Sequence, residues 1–115
     1  MLSVGIDLIQ VSRISASIDA FGERFLARVF TPAEVAYARD RPERFAARFA
    51  AKEAAKKALE LDGIAWTDIE VVKQPNGACV LQLHGAALAA ARPCELALSL
   101  SHEGDFATAV VIASD

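Results

Sequence analysis

Apolar and polar residues recur with two different periods along this chain, and the changes of period separate strands from helices. A short, largely apolar segment from Val4 to Ile9, with β-branched side chains, predicts an opening strand. The segments from Ser12 to Ala20 and from Glu23 to Val29 predict two helices, with Gly22 as the break between them. The chain is therefore expected to begin with a strand followed by two helical segments.

Two further helices are predicted from the residues at their boundaries. Thr31-Pro32-Ala33-Glu34 forms a capping box with proline at the first helical position, so a helix begins there and runs towards Ala38. From about Glu43 to Leu61 the chain is rich in Ala, Lys, Arg, Glu and Leu, the strongest helix formers, and contains no Gly or Pro. Pro42 precedes this long helix, and Asp62-Gly63 is expected to end it.

The second half of the chain contains four short segments that are typical of strands. The four segments form two consecutive pairs, and a turn signal separates the two members of each pair. A short Ala-rich helix lies between the pairs, from Gly85 to Ala91. Strands linked by tight turns around one long helix indicate an α+β fold, an antiparallel sheet packed by the long helix and the shorter ones. The predicted strands are Asp68 to Lys73, Cys79 to Leu83, Leu96 to Ser101 and Phe106 to Ala113, with turns at Pro75-Asn76-Gly77 and at His102 to Asp105.

Composition predicts a single domain over residues 1–115. Hydrophobic residues make up 54% of the chain and charged residues 23%, which excludes disorder, and the net charge of −3 argues against nucleic-acid binding. No apolar run reaches the roughly 18–20 residues that cross a bilayer, and the amino terminus does not have the form of a signal peptide. Cys79 and Cys94 match no metal or redox spacing and are expected to be free thiols. These features predict a cytoplasmic protein without membrane contact.

Charged residues on the long helix provide the first candidate chemistry. Arg44, Arg48, Lys52 and Lys56 are four positions apart, and Glu53 and Lys57 form the neighbouring row. A cationic stripe that includes one carboxylate suits a polyphosphate carried with a divalent cation, because the carboxylate can hold the metal while the cations neutralise phosphate. The alternative is a solvated helix face with one ordinary ion pair from Glu53 to Lys57.

Two other clusters of polar residues lie at predicted strand ends. Asp7 sits within an apolar segment, where a carboxylate is costly to bury unless it is paired or bound to a metal. It could instead cap the following helix or pair with Arg13. Ser99 and Ser101 share one face of a predicted strand and His102 begins the turn. These side chains can donate hydrogen bonds to phosphate oxygens, but the arrangement is also compatible with a surface turn that has no binding role.

The order of these motifs resembles one known family. The chain contains Gly5-Ile6-Asp7 followed by Arg13-Ile14, then Phe30-Thr31 with Glu34, then Arg48-Phe49-Ala50-Ala51-Lys52-Glu53-Ala54 with Lys57-Ala58, and finally Ser99-Leu100-Ser101-His102 before Ala107 to Val111. This pattern closely resembles the holo-[acyl-carrier-protein] synthases, which are small stand-alone 4′-phosphopantetheinyl transferases. The resemblance extends from Val4 to about Ile112.

The resemblance implies an enzyme that transfers the 4′-phosphopantetheine arm of coenzyme A to a serine of apo acyl carrier protein and releases adenosine 3′,5′-bisphosphate, in support of fatty acid biosynthesis. It implies Mg²⁺ bound by Asp7 and Glu53, and Lys57 in contact with the pyrophosphate. It also implies a homotrimer with the active site between two subunits. The residues implied to line the nucleotide and its 3′-phosphate are Arg48, Lys52, Ser99, Ser101 and His102.

The chain departs from the family pattern in two places. The family turn usually contains a basic residue and proline after glycine, whereas this chain has Ala78-Cys79 after Gly77. The family also docks the acidic carrier protein on a basic first helix. Here the basic residues of that region, Arg13, Arg24 and Arg28, are interspersed with Asp19 and Glu23.

Several alternatives stay open at this point. Glu34 is a candidate base for the serine proton, although closing the capping box with Thr31 is its favoured role, and a metal-associated water or another carboxylate could serve instead. A coenzyme A-binding module without transfer and a Mg²⁺-dependent pyrophosphohydrolase are the other function classes. Few carboxylates occur at the close spacing of a two-metal hydrolase. The sequence also leaves open whether the acceptor carrier belongs to fatty-acid or polyketide synthesis.

Overall fold

A computed structural model describes all residues from 1 to 115 and contains five strands and five α-helices. A 3₁₀ turn at Trp66–Asp68 connects the long helix to the second strand. In chain order the elements are β1 (Leu2–Gln10), α1 (Val11–Phe21), α2 (Glu23–Val29), α3 (Pro32–Ala38), α4 (Pro42–Leu59), β2 (Ile69–Lys73), β3 (Cys79–Leu83), α5 (Gly85–Ala90), β4 (Glu95–Glu103) and β5 (Phe106–Ser114).

The strands form two antiparallel sheets with α4 packed against the larger one. The three-stranded sheet has the order β1-β5-β4, and the hairpin of β2 and β3 forms the second sheet. Asp7 pairs with Ala109 across β1 and β5, and Ser101 pairs with Thr108 across β4 and β5. The predicted α+β class is confirmed, with the strands divided between two sheets.

The Ala-rich composition of α4 allows its backbone to lie directly on the sheet. Ala50, Ala54 and Ala58 are fully buried. A Cβ atom on Gly5 of β1 would lie 2.0 Å from the carbonyl oxygen of Ala54, far inside van der Waals contact. Small residues on both elements are therefore required for this close approach, which brings the polar side chains of β1 and α4 to one edge of the interface.

Three of the differences from the predicted boundaries have clear causes, one a helix cap and two the pairing of strands. The helix α4 ends at Leu59 and not at Asp62-Gly63, because Glu60 adopts the left-handed conformation (φ 55°) and its N–H bonds to the carbonyls of Lys56 and Lys57. The strand β4 continues through His102, which pairs with Ala107 and is not part of the turn. Pairing with β5 likewise extends β1 to Gln10, so Asp7 lies inside the strand.

The first helix is capped by a residue from the opposite end of the chain. The carboxylate of Asp105, in the turn between β4 and β5, accepts hydrogen bonds from the backbone N–H of Ser12 at 2.9 Å and from its hydroxyl at 2.6 Å. The carbonyl of Asp105 also accepts the N–H of Val11. These bonds satisfy N–H groups that the start of a helix leaves without partners and fix α1 against the sheet.

The face of the three-stranded sheet turned away from α4 is uncovered. Leu2, Val4, Ile6 and Leu8 point to this face and are each between 60% and 70% exposed. Their cross-strand partners on β5 include Val110 and Ile112. We call this surface the outer sheet face.

No helix of the structure combines the length and the apolar character needed to cross a membrane.

Candidate active site

The fold brings Asp7 and Glu53 to the same surface cavity. Alternation along β1 turns Asp7 towards α4, on the side opposite to Ile6 and Leu8 of the outer sheet face. Glu53 lies on α4, and both carboxylates line a cavity of about 350 Å³ together with Arg13, Ser17 and Phe49, among others. Two segments that are distant in sequence therefore place their acidic side chains at one opening.

Lys57 completes this cluster through a contact that the sequence did not predict. Its ammonium lies 3.3 Å from Oδ1 of Asp7 and donates a hydrogen bond of 2.9 Å to the carbonyl of Ile6. The i,i+4 ion pair between Glu53 and Lys57, which the solvated-face alternative required, is not formed. The side chain of Lys57 is 56% exposed, so its ammonium is accessible to an anion in solution.

The carboxylate of Glu53 is held by the indole of Trp66, a residue that the sequence analysis did not single out. Nε1 of Trp66 donates a hydrogen bond of 3.0 Å to Oε1 of Glu53. The indole packs against Phe49, with ring centroids 5.9 Å apart, and the ammonium of Lys56 lies 4.5 Å from the indole centroid. The only available sequence signal is that Trp66 is the single tryptophan of the chain.

Lys52 is buried in the core, which contradicts the prediction that it lines the nucleotide. The side chain is fully buried, and its ammonium donates to Oε1 of Glu34 at 2.7 Å and to the carbonyls of Trp66 and Ile69 at 3.1 and 2.6 Å. These contacts engage all three N–H groups, so none remains for a phosphate. Burial lowers the pKa of Lys52, and the charge of Glu34 opposes this effect.

Glu34 has the structural role that the capping box predicts. Its Oε1 accepts the backbone N–H of Thr31, and the hydroxyl of Thr31 accepts the N–H of Glu34. Its Oε2 accepts the N–H of Val71 on β2. With 1% of its surface exposed and both oxygens engaged, Glu34 cannot reach a serine of a bound protein, so the structure removes it as a candidate base.

Arg48 is nearly buried and has no acidic partner. It is 4% exposed, its Nε atom has no hydrogen-bond partner, and its guanidinium carbon lies 4.1 Å from the ring centroid of Tyr37. Arg44 and Lys73 approach the same ring at 4.4 and 4.9 Å. The hydrogen bond from Lys73 is the main cause that lowers the pKa of Tyr37; desolvation opposes it, and the positive charges nearby lower the pKa further. Three cations without a carboxylate make this an electropositive site.

The structure does not bring Ser99, Ser101 and His102 to the cavity of Asp7 within one chain. Ser99 and Ser101 pair with Val110 and Thr108 and so share the outer sheet face, whereas Asp7 points to the opposite side. Ser101 and His102 line a different cavity of about 430 Å³, together with Leu8 and Phe106 among others. The predicted site residues thus fall on two surfaces of the chain.

Comparison with known proteins identifies the class to which this fold and cavity belong. The family model of the 4′-phosphopantetheinyl transferase superfamily matches residues 3–111. A holo-[acyl-carrier-protein] synthase of Koribacter versatilis is 44% identical, with 100% of this chain and 99% of the relative covered. One from Anaeromyxobacter dehalogenans is 49% identical, with 97% and 94% covered.

Solved structures give the same result. The ACPS–coenzyme A complex from Chronobacterium ammoniagenes has a TM-score of 0.90 at 34% identity and covers 99% of this chain and 97% of its own. The Helicobacter pylori holo-[acyl-carrier-protein] synthase in complex with coenzyme A has a TM-score of 0.88 at 32% identity, with 96% and 99% covered. The chain belongs to the 4′-phosphopantetheinyl transferase superfamily and, within it, to the holo-[acyl-carrier-protein] synthases.

Proposed function

We propose that this enzyme transfers the 4′-phosphopantetheine arm of coenzyme A to a serine of apo acyl carrier protein. The serine oxygen forms a bond to the β-phosphorus, the bond from that phosphorus to the bridging oxygen breaks, and adenosine 3′,5′-bisphosphate leaves. The serine proton passes to solvent through a base that is not Glu34. The observation that carries the proposal is the convergence of Asp7 and Glu53 at one cavity, with Lys57 in contact with Asp7, in a chain that matches the synthases along its whole length.

Asp7 and Glu53 would hold Mg²⁺. Carboxylate oxygens are its preferred protein ligands, and Mg²⁺ usually takes one or two carboxylates while it keeps several waters. The chain fits this requirement, because the carboxylates of Asp7 and Glu53 border one cavity. Bound Mg²⁺ would offset the negative charge that develops on the leaving phosphate.

Cations on α4 would bind the phosphates of coenzyme A. Lys57 would contact the pyrophosphate, since its exposed ammonium lies beside Asp7. Arg48 would contact the nucleotide phosphate, and its lack of an acidic partner supports this role, because a nearly buried unpaired charge is costly unless an anion approaches it. Positioning and electrostatics of this kind are the main protein contributions to phosphoryl transfer.

The enzyme would act as a homotrimer that shares each active site between two protomers. Support comes from the outer sheet face, whose exposed apolar side chains are unusual for a monomer. A shared site also accounts for the placement of Ser99, Ser101 and His102, since these residues of one protomer would complete the site of Asp7 and Glu53 of its neighbour. Sedimentation equilibrium tests this assembly, and a monomer at micromolar concentration would refute it.

The carrier protein would dock on the first two helices. Arg24 and Arg28 line a cavity together with Phe21 and Phe25, and Phe21 is 64% exposed. An exposed aromatic residue beside two arginines suits an acidic partner with an apolar anchor. We further propose that the acceptor is a carrier of fatty acid biosynthesis in the cytoplasm.

Mass spectrometry of apo carrier protein incubated with coenzyme A, Mg²⁺ and the enzyme tests the activity. The proposal requires a mass increase of one phosphopantetheine arm and release of adenosine 3′,5′-bisphosphate in equal amount. Coenzyme A binding without a modified carrier would indicate a binding module. Cleavage of coenzyme A that does not depend on the carrier would indicate a pyrophosphohydrolase. A panel of fatty-acid and polyketide carriers in the same assay identifies the acceptor.

A further inference from the structure

The indole of Trp66 makes a specific polar contact to one of the two proposed metal ligands. Its Nε1 donates a hydrogen bond of 3.0 Å to Oε1 of Glu53, although the two residues are on different elements, the 3₁₀ turn and α4. A hydrogen bond to a carboxylate fixes the rotamer of that side chain and engages one oxygen. The other oxygen stays available for a cation.

Trp66 is itself held from two sides. The buried ammonium of Lys52 donates to its carbonyl at 3.1 Å, and the same ammonium is paired with Glu34. The indole packs against Phe49, which lines the cavity of Asp7 and Glu53. A buried ion pair therefore anchors the backbone of Trp66, and an aromatic contact fixes its ring.

We propose that Trp66 is a positioning residue, which holds the carboxylate of Glu53 at the cavity that Glu53 shares with Asp7 and so raises the affinity of the site for Mg²⁺. This inference rests on the proposed function, because it requires that Glu53 is a metal ligand. Outer-shell hydrogen bonds of this kind orient metal ligands, and their loss lowers metal affinity about 10- to 100-fold. Because Lys52 holds the backbone of Trp66, it contributes to the site indirectly.

The substitution Trp66→Phe distinguishes the effect of the hydrogen bond to Glu53 from the effect of the ring contact with Phe49. Phenylalanine keeps an aromatic ring against Phe49 but cannot donate to Glu53. Calorimetric titration with Mg²⁺ in the presence of coenzyme A should give a dissociation constant about tenfold higher than that of the unaltered enzyme, at the lower end of the range for outer-shell partners. The matched control is Lys56→Met, which removes another contact to the same indole but leaves the N–H bond intact. It should change the Mg²⁺ dissociation constant by less than about twofold, since only the hydrogen-bonded partner orients the ligand.

The single tryptophan provides a second readout. Because its indole N–H contacts a proposed ligand, Mg²⁺ binding should change the emission of Trp66 in the unaltered enzyme with the same midpoint as the calorimetric titration. The Glu53→Ala variant should show no such change at those Mg²⁺ concentrations. Thermal unfolding of Trp66→Phe, followed by circular dichroism, sets a titration temperature at which the variant is folded.

The possible outcomes separate this inference from the proposed function. An Mg²⁺ affinity within about twofold of normal in folded Trp66→Phe would overturn the positioning role, as would an equal loss in Lys56→Met. Normal Mg²⁺ affinity in Glu53→Ala would overturn the metal site itself, whatever Trp66 does. Loss of affinity in Glu53→Ala and in Trp66→Phe, but not in Lys56→Met, is the expected result.

Discussion

Replacement of Lys52 by methionine tests whether the long helix buries part of its charge. The change keeps most of the unbranched apolar side chain and removes the ammonium that pairs with Glu34 at 2.7 Å. At this separation and an effective dielectric constant of about 20, the Coulomb attraction is about 6 kcal/mol before the cost of desolvation. Removing one partner leaves the other charge buried alone, so Lys52→Met should lower the free energy of unfolding by about 3–5 kcal/mol. Domains of this size are typically stable by about 5–15 kcal/mol, so the loss is large.

Urea unfolding at neutral pH measures this change, with Lys56→Met as the control on the same helix. Lys56 is only partly buried and contacts the face of Trp66, so its loss should cost about 0.5–1 kcal/mol. Adding Glu34→Gln to Lys52→Met removes the isolated charge and should restore part of the stability. If Lys52→Met instead left stability within about 1 kcal/mol of normal while coenzyme A affinity fell tenfold in the absence of Mg²⁺, Lys52 would be a phosphate ligand and the reasoning would be refuted.

Three further predictions concern phosphate binding, carrier docking and acid stability. Arg48→Ala should raise the coenzyme A dissociation constant about tenfold or more, since a charge-assisted contact contributes about 1.5–3 kcal/mol; unchanged binding by calorimetry would exclude the contact. Arg24→Glu should weaken carrier binding and flatten its dependence on salt while coenzyme A binding stays normal, and an unaltered salt slope would place docking elsewhere. Desolvation tends to raise the pKa of Glu70, but hydrogen bonds from Thr31 and His84 outweigh it, so the pKa lies below its ordinary value of 4.5. The stability that this group contributes is therefore present above pH 4.5 and is lost as pH falls through the lowered pKa, so Glu70→Gln should unfold with a shallower pH dependence below pH 4.5.

The elements were predictable where the local sequence contains its own boundary signal. The capping box at Thr31 and Glu34, the proline before α4 and the hairpin turn at Asn76-Gly77 each specify backbone geometry within a few residues. Boundaries set by distant partners were not predictable. The end of β4 depends on pairing with β5, and the cap of α1 is provided by Asp105 from the far end of the chain.

The two carboxylates of the site were predictable from the local sequence, whereas the burial of the cations on α4 was not. A carboxylate inside an apolar strand and another within a cationic helix are unusual enough to indicate chemistry, and both line one cavity. A four-residue charge period, however, does not distinguish a solvated face from a buried one. Lys52 and Arg48 fall on the buried side because α3 and β2 supply Glu34, Tyr37 and backbone carbonyls as partners, and those contacts exist only in the folded chain.

The measurement that tests the central claim most directly is the rate at which the carrier protein is modified by Asp7→Asn and Glu53→Gln variants across a range of Mg²⁺ concentrations. Both changes keep the side-chain shape and remove a charge that borders the cavity. Each should lower the rate by about 100-fold or more, as is typical when one group that stabilises transition-state charge is removed, with circular dichroism unchanged. Asp62→Asn, an exposed carboxylate in the loop after α4, is the control and should react at the normal rate. Near-normal turnover of either site variant at modest Mg²⁺ would contradict the account.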